Sequence, residues 1–145
     1  MTYETVVLET IRQNVFATMY ALIDANKPSN WNIFASYPED EADFPCIILN
    51  SANIKPKIIT MDSGGYTVEK ITMEVEFFAL SKYGDEQIEV GRDNVQNTML
   101  TNQSTLNAYN LYLLEEPFDD SNVDTFIQGR EKIRTAGSII SMGMK

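Results

Sequence analysis

The sequence predicts an α+β domain. Its sheet is mixed and mainly antiparallel, of four to five strands, with a long N-terminal helix and a second helix packed on it. Three observations carry that expectation. Apolar residues recur at helical spacing from about Tyr3 to Asn26, they alternate at strand spacing from Val68 to Leu80, and helical spacing returns after Ser81. The chain has 145 residues, 43% of them hydrophobic, which suits a single domain over 1–145. A domain of that size buries roughly two thirds of its unfolded surface, so disulfides and metals are not required for folding.

In the first helix, Leu8, Ile11, Val15, Met19, Leu22 and Ile23 form one apolar stripe, widened by Val7, Phe16 and Tyr20. Glu4 suits the N-terminal dipole, and Lys27-Pro28 ends the helix. Residues 28–43 read as a loop holding Trp31, Phe34 and Tyr37, with a brief pairing over Trp31–Ala35 and a solvated acidic tip at Glu39-Asp40-Glu41. Phe44–Asn50 is apolar on both faces, as in a central strand, and Pro45 stands at its start, where a missing amide is tolerated.

A further strand is expected to begin within Ala52–Thr60, followed by a turn at Asp62-Ser63-Gly64-Gly65. The hairpin over Ile58–Val68 is expected to project from the body. In the next strand Ile71, Met73, Val75, Phe77 and Ala79 point to the core. Thr72, Glu74 and Glu76 point to water, until Phe78 and Leu80 close the second face. Ser81 or Asp85 is positioned to cap a helix carrying Ile88, Val95 and Met99, in which Gly91 would allow close packing on the sheet. Asn102–Asn110 reads as a break or helical turn, Leu111–Glu115 as a strand, and Pro117–Thr125 as an acidic loop. Lys132–Met144 reads as a long final strand weakened by Gly137 and Gly143.

Composition narrows the chemistry. Eleven basic residues stand against 21 acidic ones, a net charge of -10, which disfavours a phosphate-neutralising surface. There is no histidine, so triads and zinc sites of the usual kinds have no base or ligand. Cys46, the only cysteine, lies in an apolar run and reads as a small buried hydrophobe. Gly64-Gly65 lacks the following Gly-Lys-Ser/Thr of a phosphate loop. Asp120, Asn122, Asp124 and Glu131 have part of a calcium-loop spacing, but Thr125 stands where the sharp turn needs glycine. Glu74 and Glu76 read as an ordinary charged row on a wet strand face. No catalytic residue, cofactor or metal is expected, and no window approaches the roughly 18 apolar residues of a membrane span.

The order of a long helix, a Phe44-Pro45-Cys46 strand start, a hairpin, a strand ending at Phe78-Ala79-Leu80-Ser81, a helix and a late strand resembles the tail terminator, or tail completion, proteins of tailed bacteriophages. The resemblance covers nearly the whole chain as topology. It implies a structural virion protein at the tail neck, assembled in the host cytoplasm. Its copies would form a homo-hexameric ring that caps the tail tube protein, stops polymerisation and meets the head-tail connector or stopper protein. DNA would pass the lumen without specific binding. The resemblance offers no catalytic residues, and by analogy the turn Asp62, Ser63, Gly64, Gly65 and Tyr66 would reach the tube or a neighbouring subunit. The rival readings are another neck protein, a stopper or adaptor; an acidic α+β domain binding a small ligand or calcium; and an acidic module binding a basic partner.

Overall fold

The computed structural model describes residues 3–36, 44–58 and 66–144. It is an α+β fold. The elements are α1 (Tyr3–Asn26), β1 (Asn32–Phe34), β2 (Cys46–Leu49), β3 (Asn53–Ile58), β4 (Tyr66–Leu80), a 3₁₀ turn (Ser81–Tyr83), α2 (Gly84–Thr101), α3 (Gln103–Ala108), β5 (Leu111–Asp120), β6 (Asp124–Gln128) and β7 (Glu131–Met144). All seven strands join one sheet rather than the expected four to five. Only β1 and β2 pair in parallel.

Two long strands form the spine. β4 and β7 pair antiparallel from Ile71↔Met142 to Leu80↔Ile133. Each is flanked on its outer side by a strand broken in two. β2 covers Val75–Phe78 and β3 covers Tyr66–Thr72 along one side of β4. On the far side, β5 and then β6 run along β7. The expected alternation in β4 holds: Ile71, Met73, Val75, Phe77 and Ala79 are all fully buried. Each of these side chains except Ala79 contributes about 1.5–3 kcal/mol relative to exposure. β2, between β1 and β4, is buried along its whole length, as its two apolar faces predict.

The helices cover one face of the sheet. Val15, Met19 and Ile23 of α1, Ile88, Val95 and Met99 of α2, and Leu106 of α3 share one core with the inward residues of β2, β4, β5 and β7. Two polar bonds lock α1 in place. The Tyr20 hydroxyl donates to the Ile33 carbonyl at 3.2 Å, and the Asn94 amide donates to the Asn26 carbonyl at 3.0 Å, satisfying an end carbonyl that the helix leaves unpaired. The other face holds a smaller cluster, Cys46, Ile48, Phe78 and Ile133, with Phe126 set edge-on to Phe78 at 6.0 Å.

Trp31 stands in the connection before β1, as expected, yet it belongs to the core: it is 1% exposed and meets Phe77 edge-on at 6.2 Å. Three expectations need correction. Gly91 packs against Trp31, where any β-carbon would overlap the indole, rather than simply easing the helix onto the sheet. Neither Ser81 nor Asp85 acts as the expected cap. Ser81 opens the 3₁₀ turn after Leu80 with no side-chain cap, and Asp85 lies within the first turn of α2, accepting a bond from Arg134. Finally, Pro117–Thr125 is not a loop. Residues 117–120 complete β5 and 124–125 begin β6, leaving only 121–123 between them. Pro117 is accommodated because β5 bulges there: Leu113 opposes Met142 and Phe118 opposes Ile140, so four residues of β5 face a single residue of β7.

β7 also runs through both of its glycines. The Tyr112 ring lies over Gly143, taking the space a side chain would fill. At Gly137 the amide donates to Ser121 Oγ at 2.7 Å and the carbonyl accepts from the Ser121 amide at 3.0 Å, so Ser121 carries the ladder across the β5–β6 break. The β6–β7 hairpin closes through Gly129 and Arg130, with Gly129 at φ 61, a conformation glycine adopts without steric cost.

Candidate functional site

Asp62, Ser63, Gly64 and Gly65 lie outside the described residues. Tyr66 begins β4 with its backbone paired to Ile58, and its side chain is outside the described set. What the structure describes is the ribbon leading to that turn. The β4–β7 ladder starts at Ile71, so Tyr66–Lys70 pair only with β3 among the described residues. The root of the ribbon is anchored, since Ile54 and Val68 pack on the main core. Between and beside them Lys55, Pro56, Glu69 and Lys70 are exposed. The register shifts between Lys55 and Pro56, which leaves Glu69 as the extra residue of a bulge. Lys55 and Glu69 form an ion pair at 3.7 Å with side chains 71% and 47% exposed, which adds little to stability.

The ribbon is strongly biased in charge. Residues 53–58 and 66–70 hold Lys55, Lys57 and Lys70 against Glu69 alone. The opposite side of the sheet reverses this. β5 carries Glu115, Glu116, Asp119 and Asp120 with no basic residue. Among the described residues the outer edges of β3 and β5 pair with no strand. This opposition went unread in the sequence because it depends on strand order. Its signal was there in the lysines flanking one turn and the acids flanking Pro117.

Asp120 differs from its neighbours because it faces the helices. Gln96 donates to its Oδ1 at 2.6 Å, and Arg92 Nε lies 3.9 Å from its Oδ2. Arg92 is 8% exposed and donates to the Ser121 carbonyl at 2.7 Å and to Glu89 at 3.0 Å. One buried guanidinium therefore ties α2 to the break between β5 and β6. In the sequence Arg92 stands at helical spacing between Ile88 and Val95, which marks a shared face but not its partners.

The partial calcium spacing does not survive as a loop. Asp124 and Glu131 stand in strands joined by a two-residue turn, and Asp120 is engaged by Arg92 and Gln96. No group of three potential metal-ligating side chains occurs among the described residues. Glu74 and Glu76 do face the same side of β4, the side away from the helices. They line a shallow cleft of about 250 Å³ with Ser121, Asn122 and Asp124. The Asn50 amide donates to Glu76 Oε1 at 2.9 Å. Cys46 is fully buried in the smaller cluster, as its apolar run predicts. The tip Glu39-Asp40-Glu41 lies outside the described residues.

A groove of about 660 Å³ lies between α1 and α3, floored by Leu111 and Met144 and flanked by Tyr109. Its lining holds no charged residue, which suits apolar contact better than chemistry. Among the described residues, no helix is long and apolar enough to cross a membrane. No protein-family model matches the chain, and no curated protein matches it.

Proposed function

We propose that this chain is a tail terminator subunit of a tailed bacteriophage. It acts by assembly: copies form a hexameric ring at the tail neck, seat on the last ring of tube protein, end tube growth and present a surface to the head connector or stopper. The observation that carries the reading is the β3–β4 ribbon. A two-stranded ribbon buries little surface of its own, and this one continues past the β4–β7 ladder held to the core through Ile54 and Val68, with Lys55, Pro56, Glu69 and Lys70 exposed. Such a ribbon gains order by lying on another molecule.

The two uncovered strand edges support the same reading. Long edges invite pairing with other chains, and closing a ring covers them. The excess of acid keeps the surface from holding DNA that passes close by. A stopper or tube adaptor would use the same surfaces, and the test separates them. Negative-stain imaging of the purified protein, alone and mixed with preformed tail tubes, is expected to show rings of about six subunits with a central hole, seated on tube ends. A uniform monomer that leaves tube ends bare overturns the proposal. Rings that ignore tubes but bind the connector reassign the protein to another place in the neck.

A further inference from the structure

Resting on the ring reading above, we infer that neighbouring copies join head to tail, with the basic β3–β4 ribbon of one copy lying along the acidic outer edge of β5 in the next. The two surfaces lie on opposite sides of the sheet, separated by β4 and β7. The ribbon is basic in balance, with Lys55 and Lys70 exposed beside Glu69, and β5 is wholly acidic, with Glu115, Glu116 and Asp119 exposed. Asp120 takes no part, because Arg92 and Gln96 hold it against α2.

Symmetry makes the charges decisive. A two-fold contact through these edges sets β5 against β5 or β3 against β3, and in both cases like charges meet. A head-to-tail contact sets β3 against β5, and opposite charges meet. Strand direction agrees. β3, β5 and β7 pair antiparallel with their neighbours in such a way that β3 runs opposite to β5 within one copy. A neighbour rotated about a ring axis that runs along the strands brings its β3 to β5 in the antiparallel sense, the commoner way for strands to associate. The bulge over Leu114–Pro117 interrupts a continuous backbone ladder along β5. Recognition there falls to the side chains, and Glu115 and Glu116 lie in that bulge. A contact of this kind weakens with salt, since it joins exposed charges.

The test is carbodiimide cross-linking of the full chain at high concentration and low salt, with the products mapped by mass spectrometry. The reagent joins carboxylates to amines only when they are in contact. The Lys55–Glu69 pair within one copy, 3.7 Å apart, serves as the internal control. The expected products are dimers and higher species joining Lys55 or Lys70 of one copy to Glu115 or Glu116 of another. The double variant Lys55→Glu/Lys70→Glu lacks the reacting amines and should form none of these links alone, and mixing it with Glu115→Lys/Glu116→Lys should restore links between positions 55 or 70 of one and 115 or 116 of the other, because the reversed surfaces again set amine against carboxylate. Intermolecular products that map elsewhere, or whose yield ignores the reversals, overturn the contact, and so does the absence of any intermolecular product while the control link forms. Rings or capped tubes that persist in both variants keep the function but overturn this contact. The mapped link without rings or caps keeps the contact and overturns the ring.

Discussion

The six-membered ring of Trp31 lies against the backbone of Gly91, so close that a β-carbon at 91 would sit 2.5 Å from Trp31 Cη2. This contact joins the segment after α1 to the middle of α2, and behind it Trp31 meets Phe77 of the central strand. It gives Gly91 a purpose that offsets its poor helix propensity.

Gly91→Ala should therefore destabilise the fold despite alanine's better propensity. Overpacking in a full core costs about 1–3 kcal/mol, and the propensity gain returns about 1 kcal/mol. Urea denaturation should show a net loss of up to about 2 kcal/mol. In a Trp31→Phe background the clashing atoms are gone, and the same change should be neutral or stabilising. Equal losses in both backgrounds would show that the indole is not the cause.

Removing Arg92 should loosen the β5–β6 break. Arg92→Ala takes the donor from the Ser121 carbonyl and from Glu89 and the ion pair from Asp120, at a cost of about 2–3 kcal/mol. Hydrogen exchange should quicken at the Ser121 and Gly137 amides more than at Phe77. Uniform acceleration would mean that the guanidinium serves general stability and not the break.

Tyr112 and Gly143 make a similar pair on the other side of the sheet. Gly143→Ala should displace the Tyr112 ring and cost about 1–2 kcal/mol by differential scanning calorimetry. Tyr112→Ala should remove most of that penalty when the two changes are combined. A fully additive pair would contradict the packing described.

Cys46 is 0% exposed, so its reaction with a thiol reagent requires the chain to open. Modification should be slow in buffer and complete in urea, with a rate that follows the unfolding equilibrium. Fast labelling of the folded protein would contradict its place under Phe44 and Phe78.

Much of this fold is legible in sequence, for physical reasons that vary by element. The α1 stripe and the β4 alternation are readable because each element buries one face only, so its period survives in the chain. β6 is not readable: its apolar residues are Phe126, facing the small cluster, and Ile127, which is 70% exposed, so no buried face marks the strand. Pro117 reads as the end of a strand, yet a bulge absorbs it. Trp31 looks like a loop residue because its burial depends on Gly91, sixty residues later. The pairing of β3 with β4 was legible, and the turn that joins them lies outside the described residues. The charge opposition between ribbon and β5 emerges only once strand order sets them on opposite edges.

The most direct test of the assembly account is growth of tail tubes from purified tube protein with this chain present at a small fraction of the tube subunits. The account predicts short tubes of narrow length distribution, each closed at one end by a ring of this protein. Tubes of unchanged length, with no extra density at either end, would contradict it.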